Sequence, residues 1–423
     1  MRILLVSYYF PPSGRAHAYR WSPIVGEWLA RGHSVDVVAG IETSGVGGEE
    51  GCQASRGLRL VRTGSPMINR LRGVAPTTRG SAAAPLPGTS LLASAAKNAL
   101  RSAYRASFWP DGLWHWYPYA LSAARKLATQ PYDLLVTYSP TFVAHLVGLR
   151  LFRAACATAW LADYGDPFSL SPKMPANNSR LYGRLNRHFE RKVIETATAT
   201  SFTNAATRDL YSEQFGGGRK LLVIPNAVAL PASAEARTRP RRHGPARLTY
   251  VGALHRQIRE PAPVIANLKA ALEARPGSFD IRFVGRLNGV ETIAHPAIAW
   301  LGEVDKAAAF RYMQDADVLI HIENKGVPMT PSKVVDYIAA ARPILNFYSD
   351  DVTPLLADWP YALDLRLEDD NTAAILSFID HARTIEISGD EVADHLRRHD
   401  AGSIASDVLD LVGRGNAQAR SPG

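Results

Sequence analysis

Short apolar runs alternate with amphipathic runs along almost the whole sequence, and this alternation limits the folds open to the chain. Residues 2–7, 34–39 and 157–162 are rich in apolar side chains and are typical of buried strands. Residues 18–31 and 180–196 have the apolar spacing of helices. Buried strands separated by helices indicate a parallel sheet that is covered on both faces. The sequence therefore predicts an α/β fold built from doubly wound parallel sheets.

One stretch without periodicity interrupts the alternation. Residues 229–247 carry three prolines and five arginines, a composition typical of a linker. At roughly 150 residues per domain, a chain of 423 residues is expected to form two or three domains. We predict a first domain over residues 1–228 and a second over residues 248–399. A last helix over about 400–415 is a candidate to pack back on the first domain.

Cysteine content and hydropathy exclude several classes of protein. The two cysteines, Cys52 and Cys156, form no CxxC pair, so neither a disulfide framework nor a zinc site is expected. Residues 1–12 begin apolar but lack a small-residue cleavage site, and we interpret them as a strand and a loop, not a signal peptide. No apolar window reaches the ~18 residues of a spanning helix. These features predict a cytoplasmic protein.

The charge of the chain suggests one kind of surface partner. Formal net charge is +9, from 48 Lys and Arg against 39 Asp and Glu. The arginines are not concentrated in one tract with interleaved aromatic residues, so nucleic acid is not an expected partner. Residues 56–105 carry nine cations and no acid, and an aromatic cluster follows over 109–119. This combination predicts peripheral contact with an anionic membrane surface, the inner face of the cell membrane. Core packing or sugar stacking of the aromatic residues stays open.

Residues 330–345 predict a loop, a capped helix and a buried strand. Thr330 suits the N-cap, and Pro331 suits the first helical position. Lys333 and Asp336 are three residues apart and share one helix face. A helix start with a cation and a carboxylate beside it can hold the phosphates and the ribose hydroxyls of a nucleotide diphosphate. An ordinary capped helix with a surface ion pair is the alternative.

Two other loops follow predicted strands and open helices. Residues 10–15 contain Gly14, which lets backbone N–H groups approach a ligand closely. The GxGxxG pattern is missing, which argues against an NAD-binding Rossmann site. Residues 251–260 contain Arg256 and Arg259, which can pair with phosphate oxygens. A plain turn is the alternative for residues 10–15, and a solvated basic loop is the alternative for residues 251–260. Several cations at neighbouring strand ends would repel one another without an anion between them, which favours the ligand.

One carboxylate stands apart from these basic loops. Asp166 follows a predicted strand within Asp-Tyr-Gly-Asp-Pro, residues 163–167. A carboxylate at a strand end can orient a sugar hydroxyl or accept its proton. An ordinary Asp-Pro turn is the alternative. We expect neither a DxD triplet nor a histidine cluster to accompany the carboxylates, so bound metal is not expected.

Several segments, in their order and spacing, match a known family. They are ILLVSYYFPPSG (3–14), LARGHSV (29–35), VIPNAV (223–228), YVG (250–252), and ADV (316–318) leading to PSK (331–333). The chain resembles the retaining glycosyltransferases of family 4, and most of all bacterial members that build surface polysaccharides. The resemblance implies the GT-B fold, two Rossmann-like doubly wound parallel-sheet domains that face a cleft.

The resemblance also implies roles for individual residues. The second domain would bind a nucleotide-diphosphate sugar, and the first a saccharide or lipid-linked acceptor, with no metal or other cofactor. Lys333 and Arg259 would hold the diphosphate during catalysis, and Asp336 would hold the ribose. Asp166 would be a catalytic group on the acceptor side. The remaining predicted donor-binding residues are Gly14, Gly252, Arg256 and Ser332.

The chain departs from the family pattern at two places. The family has two glutamates eight positions apart, where this chain has Pro328 and Asp336, and Glu323 is out of register. Ala341 stands where a glycine is usual, which predicts an altered loop backbone. These departures keep open a catalytically inactive binding or scaffold relative. A nucleotide-sugar epimerase of GT-B fold, which has a similar two-domain scaffold, is a second alternative to sugar transfer.

Overall fold

In the computed structural model the chain forms two compact units. Unit 1 comprises residues 1–227 and 401–423, and unit 2 comprises residues 228–400. Each unit has its own sheet and its own apolar cores. The structure describes residues 1–13, 15–41, 51–65, 108–171, 175–228, 244–256, 258–325, 333–349 and 356–419.

The sheet of unit 1 is parallel except at one edge. Its strands are β1 (Arg2–Ser7), β2 (Ser34–Gly40), β3 (Gly51–Ser55), β4 (Leu58–Thr63), β5 (Tyr132–Ser139), β6 (Ala157–Tyr164), β7 (Ala199–Phe202) and β8 (Leu221–Val223). The spatial order is β3-β4-β2-β1-β5-β6-β7-β8, and only β3 is antiparallel to its neighbour. The direction of winding reverses between β1 and β5. Ligands in such sheets bind beyond the carboxyl ends of the strands at the reversal.

Helices cover both faces of this sheet. They include α1 (Ser22–Ala30), α2 (Tyr117–Leu127), α3 (Val143–Arg153), α4 (Ser179–Thr196) and α5 (Ala205–Phe215). Helices α2 to α5 contribute side chains to one core, while α1 contributes Ile24 and Trp28 to the core on the opposite face. The strands are buried on both sides because each face carries its own layer of helices.

Unit 2 repeats this architecture with a smaller sheet. Its strands are β9 (Ala246–Val251), β10 (Leu254–His255), β11 (Phe279–Val284), β12 (Leu287–Asn288), β13 (Ile298–Gly302), β14 (Val318–Ile322), β15 (Ile344–Tyr348) and β16 (Ala362–Arg366). Six of them form a parallel sheet in the order β13-β11-β9-β14-β15-β16, and β10 pairs with β12 in a separate short ladder. The winding of the main sheet reverses between β9 and β14.

The last helices of the chain divide between the two units. Unit 2 contains α6 (Ala262–Ala274), α7 (Lys306–Gln314), α8 (Lys333–Ala339), α9 (Thr372–Ala382) and α10 (Gly389–His395). The following helix, α11 (Ala401–Ala419), belongs to unit 1. Its Ile404, Ala405 and Val408 lie in the same core as Trp28 of α1. The Trp28 Nε1–H also donates to the Ala405 carbonyl oxygen at 3.1 Å, which fixes α11 against α1.

The predicted α/β class with doubly wound parallel sheets is confirmed, and two boundaries differ. The single helix predicted over 18–31 is a 3-10 turn over Ala16–Tyr19 followed by α1. Pro23 explains the break, because a residue without an N–H fits only the first turn of a helix. Strand β9 begins at Ala246, inside the predicted linker, of which residues 229–243 lie outside the described residues.

Candidate functional site

The carboxyl ends of β9 and β11 approach each other closely in unit 2. Gly252 follows β9, and its N–H donates to the Val284 carbonyl oxygen at 2.9 Å. Gly285 follows β11 with a φ of +138°, and a Cβ there would lie 1.9 Å from the Gly252 carbonyl oxygen. Any side chain at position 285 would therefore displace backbone. The sequence prediction included Gly252 and missed Gly285, although a glycine directly after a predicted strand was a usable indication.

Arg259 bridges the two strand ends at the reversal of the unit 2 sheet. Its Nη1 donates to the Ala253 carbonyl oxygen at 3.0 Å, and its Nη2 donates to Asn324 Oδ1 at 2.5 Å. Ala253 follows β9 and Asn324 follows β14, so the guanidinium spans the position where ligands bind in this class of sheet. Its Nε–H is buried and has no acceptor among the described residues. A buried donor in this state favours the approach of an anion.

Helix α8 presents a cation and a carboxylate near the same strand end. Lys333 Nζ lies 3.1 Å from Asp336 Oδ2, and the two side chains are 27% and 25% exposed. Tyr337 fixes the helix to β9, because its hydroxyl donates to the Val251 carbonyl oxygen at 3.0 Å and accepts from the Val251 N–H at 2.7 Å. Helix α8 and Arg259 are thus both attached within a few residues of the end of β9. The charges of Arg259 and Asp336 both affect the pKa of Tyr337, which burial raises, so these two predicted residues lie near the same side chain.

A third cation, which sequence reasoning missed, lies near α8. Partial burial lowers the pKa of Lys306, an effect that the charge of Asp336 opposes and that of Lys333 increases. Lys306 opens α7 on the neighbouring part of the sheet, so only the fold brings it near α8. The predicted Arg256 is exposed, and among the described residues it pairs with none of these groups.

Several buried polar side chains lie close together at the end of β14. Burial, with a smaller effect of the Arg259 charge, lowers the pKa of His321 to about 3, so this imidazole is neutral at pH 7. Its Nε2 lies 3.9 Å from Glu323 Oε2, too far for a hydrogen bond. The Asn346 amide donates to Glu323 Oε1 at 3.2 Å and to Asp364 Oδ1 at 2.7 Å. Glu323, which the sequence pattern placed out of register, directly precedes Asn324, the residue that accepts from Arg259.

Of the two departures from the family pattern, the structure describes Ala341 but not Pro328. Thr330, Pro331, Ser332 and Pro328 lie outside the described residues, as does Gly14 of the first loop. Ala341 adopts a φ of +52°. This is the left-handed conformation that glycine adopts at least cost. Ala341 therefore occupies a conformation that glycine adopts at less cost, and the expected alteration of the loop backbone stays a prediction.

Asp166 of unit 1 belongs to a cluster that the sequence did not predict. His17 Nε2 lies 3.7 Å from Asp166 Oδ2, and His17 Nδ1 lies 3.1 Å from the Tyr138 hydroxyl. Burial raises the pKa of Tyr138 well above its ordinary value, so its hydroxyl remains protonated and can donate to Nδ1. The other ring nitrogen of His17, Nε2, faces Asp166. The carboxylate is 34% exposed, which leaves it open to a ligand.

Asp163, three residues earlier, has a structural role. Its Oδ1 accepts from Arg20 Nη2 at 2.9 Å and from the Ser201 hydroxyl at 2.7 Å. Its Oδ2 accepts from Arg20 Nε at 3.0 Å and from Trp21 Nε1 at 2.8 Å. Arg20 also donates to the Ile224 carbonyl oxygen at 2.7 Å. Buried and fully paired, this carboxylate connects β6 to the helical segment after β1, whereas Asp166 is partly exposed and accessible to a ligand.

One pair of acidic residues has DxD spacing, which the sequence analysis did not expect, and it is engaged by arginines. Asp315 and Asp317 form a DxD triplet, but they precede β14 and so lie at the opposite edge from Arg259. Asp315 Oδ2 pairs with Arg247 at 2.6 Å and Arg282 at 3.2 Å, and Asp317 Oδ2 accepts the Arg247 N–H at 2.8 Å. Within the described ranges, no three His, Cys, Asp or Glu side chains are grouped as metal ligands.

Across the described helices, none combines the length and the apolar composition that crossing a bilayer requires.

Several solved structures align with almost the whole chain. Sucrose-phosphate synthase from Thermosynechococcus elongatus is 16% identical with a TM-score of 0.62, and 99% of each chain is covered. Trehalose 6-phosphate synthase from Burkholderia multivorans is 14% identical with a TM-score of 0.61, covering 100% of this chain and 99% of the other. Anabaena HepE in complex with UDP-glucose is 12% identical with a TM-score of 0.56, covering 98% and 100%. The chain has the GT-B fold.

The fold that the sequence resemblance implied is thereby confirmed. No protein-family model matches the sequence, and no curated protein sequence matches it. At identities of 12% to 16% this likeness establishes the architecture of the chain.

Proposed function

We propose that this protein is a retaining glycosyltransferase of cell-surface polysaccharide synthesis. It would move a sugar from a nucleotide-diphosphate sugar to a saccharide or lipid-linked acceptor. The observation that carries the proposal is Arg259, whose guanidinium joins the ends of β9 and β14 and retains a buried Nε–H without an acceptor among the described residues. The HepE structure of the same fold contains UDP-glucose, a ligand of the proposed donor class.

The donor side of the reaction needs positive charge at the leaving group. As the bond between the anomeric carbon and the phosphate oxygen breaks, negative charge grows on the diphosphate, and fixed cations stabilise it. Arg259 and Lys333 are the proposed cations. Asp336 Oδ2 lies 3.1 Å from Lys333 Nζ, and the other carboxylate oxygen of Asp336 can accept hydrogen bonds from ribose hydroxyls. With two cations in this role, the reaction needs no metal ion. Gly14 and Ser332 remain proposed phosphate contacts.

The acceptor side needs a group that orients a hydroxyl. Asp166 is the proposed group, since it is partly exposed and His17 stands behind it. As the new glycosidic bond forms, the acceptor hydroxyl loses its proton, and an oxygen of the departing diphosphate can take it. Asp166 would then orient the hydroxyl without having to be the final base. We place the reaction in the cytoplasm, at the inner face of the membrane, where lipid-linked saccharides would be presented.

Calorimetry with UDP, GDP and ADP tests the donor site directly. We expect one nucleoside diphosphate to bind and Lys333→Ala to weaken it roughly 10- to 150-fold, because a hydrogen bond to a charged group contributes about 1.5–3 kcal/mol. Lys269→Ala, on α6 of the same unit, is the matched control and should leave the affinity unchanged. Unchanged binding in Lys333→Ala, or no binding of any diphosphate, would contradict the proposed site.

Product analysis tests the reaction itself. The full-length protein is incubated with the matching nucleotide sugar and candidate saccharide acceptors, and products are separated by mass. A sugar-extended acceptor together with free nucleoside diphosphate supports transfer. Conversion of the donor into a second nucleotide sugar without acceptor would support an epimerase. Tight diphosphate binding without turnover on any acceptor would support the inactive relative.

A further inference from the structure

Helix α4 of unit 1 has an outer face that the donor and acceptor sites do not use. We define the α4 outer face by Arg180, Leu181, Arg184, Leu185 and Arg187, all of which are exposed. At 3.6 residues per turn, the arginines follow one side of the exposed arc and the leucines follow the adjoining side. The helix thus presents a cationic strip beside an apolar strip, both turned to solvent.

The charge on this surface is of one sign. From Ser179 to Lys192 the only acid in α4 is Glu190, which is 0% exposed and bonded inside unit 1 to Tyr211 and Ser169. Among the described residues, none of the three arginines of the α4 outer face has an ion-pair partner. The first exposed acid of the helix is Glu195, in its last turn. The cations are therefore available to an external anion.

The leucines of this surface are unusual in their exposure. Leu181 is 61% exposed and Leu185 is 39% exposed. They lie one helical turn apart, so they form a continuous apolar strip. Exposed leucines that are adjacent to each other and bordered by arginines indicate a surface that is covered in use.

The inner face of α4 holds the helix rigidly in place. Asn186 accepts from Trp109 Nε1 at 2.9 Å and exchanges hydrogen bonds with Asn177 at 2.9 and 3.0 Å. The Phe189 ring packs against Trp109 with centroids 4.8 Å apart. The α4 outer face is therefore a preformed surface, and binding would not have to order it.

Two cations of the basic block over residues 56–105, which the sequence analysis assigned to membrane contact, are engaged within unit 1. Arg62 is 6% exposed and donates to the Pro11 carbonyl oxygen at 2.6 Å, and Arg59 pairs with Asp36 at 2.8 Å. Residues 66–107, with six cations and no acid, lie outside the described residues and are not included in the surface proposed here. In sequence they lead directly to Phe108 and Trp109, next to α4.

We propose that the α4 outer face docks on an anionic phospholipid bilayer. Cations pair with acidic headgroups while leucines enter the boundary between headgroups and acyl chains. Nucleic acid would use the arginines but leave the leucines exposed, so the apolar strip favours the bilayer. Each cation near such a surface strengthens binding about 5-fold. The inference goes beyond sugar transfer and does not depend on nucleotide binding.

Vesicle co-sedimentation with the full chain tests this surface. We expect binding to vesicles of phosphatidylglycerol and phosphatidylcholine, weakened by salt, and little binding to phosphatidylcholine alone. Arg184→Gln with Arg187→Gln should lower the partition coefficient about 25-fold, since two cations are lost. The control is Arg150→Gln with Arg153→Gln, exposed residues at the end of α3, which should change it less than 3-fold.

A second variant separates the bilayer from other anionic partners. Leu181→Gln with Leu185→Gln keeps the charge but should weaken vesicle binding and make the remainder fully reversible by salt. Circular dichroism on each variant checks that unit 1 remains folded. The proposal would be overturned if wild-type protein did not bind acidic vesicles. It would also be overturned if the variant without Arg184 and Arg187 bound them as strongly as wild type. Affinity for DNA or heparin that is unaffected by the leucine change, without vesicle binding, would overturn it as well.

Discussion

Glu190 is a carboxylic acid enclosed in the core of unit 1. Tyr211 donates its hydroxyl to Oε1 at 2.7 Å, and the Ser169 N–H donates to Oε2 at 3.2 Å. Burial raises the pKa of Glu190 to about 7, although these hydrogen bonds oppose the shift. Ser169 belongs to the segment after β6 that also carries Asp166. One buried side chain thus fixes a segment that the proposed acceptor site uses.

The stability of unit 1 should depend on pH through Glu190. Because the pKa is about 7 when folded and 4.5 in the reference state, the folded chain binds more protons between these values. The stabilising contribution is therefore complete below pH 4.5 and lost as pH rises through 7. Each pKa unit corresponds to about 1.4 kcal/mol, so the total is about 3 kcal/mol. Urea unfolding of wild type and Glu190→Gln at pH 5 to 8 should reveal this slope only in wild type.

The control for this measurement is an exposed acid of the same unit. Glu213→Gln, on the outer side of α5, should give unfolding free energies parallel to wild type from pH 5 to 8. If wild type and Glu190→Gln differ by a constant amount at every pH, Glu190 does not titrate in this range and the prediction is wrong.

Asp166 should affect transfer and not donor binding. Asp166→Asn keeps the shape of the side chain but removes the charge that orients an acceptor hydroxyl, which should slow transfer roughly 100-fold. The proposed diphosphate cations belong to unit 2, so the calorimetric dissociation constant for nucleoside diphosphate should not change. Asp209→Asn, an exposed residue of α5, is the control. Equal losses of affinity and rate would argue against an acceptor role.

Individual site residues differ in how far sequence could predict them. Arg259 and Lys333 follow strands or open helices, so the order of elements was enough to predict both at the carboxyl edge of the unit 2 sheet. Lys306 also opens a helix after a strand, and the sequence analysis overlooked it. His17 and His321 have no such pattern, because their importance comes from neighbours that are distant in sequence. A lone histidine becomes informative only when the fold places Tyr138 on one ring nitrogen and Asp166 near the other.

Helix α3 ends in a motif whose key position holds an unfavourable residue. The Cys156 N–H donates to the Leu151 carbonyl oxygen at 3.1 Å, and the Ala155 N–H donates to that of Phe152 at 3.0 Å. This is the Schellman pattern, which requires a left-handed residue after the helix. Ala155 supplies it with a φ of +55°, where a Cβ is costly.

Ala155→Gly should therefore stabilise unit 1. Relief of the left-handed conformation gains about 1–2 kcal/mol, and the extra freedom of glycine in the unfolded chain costs about 0.5–1 kcal/mol. Ala155 is exposed, so little apolar contact is lost. Denaturant unfolding should give an increase of about 1 kcal/mol. Ala123→Gly, within α2 and right-handed, is the matched control and should lose about 1 kcal/mol.

Elements with strong periodicity were predictable, and weak or edge elements were not. The strands β1, β2 and β6 follow their apolar runs almost residue for residue, because strands covered on both faces need continuous apolar sequence. Strand β16 was missed because it lies at the sheet edge and most of its side chains are only partly buried. Helix α9 was also missed, although Ile375, Ile379 and Ala382 have helical spacing and lie in the core.

At the scale of the whole molecule, unit 1 is built from two distant parts of the chain. The chain completes unit 2 before residues 401–423 return to unit 1. Helix α11 closes one face of the unit 1 sheet by covering Trp28 and its neighbours in α1. Unit 1 can therefore reach its final stability only after Ile404 to Leu411 of α11, which contribute to its core, have been synthesised.

Truncation after Asp400 should destabilise unit 1, although the cut follows unit 2. The deletion exposes the surface that buries Ile404 and Val408, which are 4% and 1% exposed, and removes the acceptor of Trp28 Nε1–H. Burial of two such side chains contributes about 3–6 kcal/mol. Urea unfolding followed by tryptophan emission should give a lower midpoint and a red-shifted native spectrum. Truncation after Ala419 removes only the last four residues and should match wild type, because the core contacts of α11 are retained. Equal midpoints for the two truncations would mean that α11 is dispensable to unit 1.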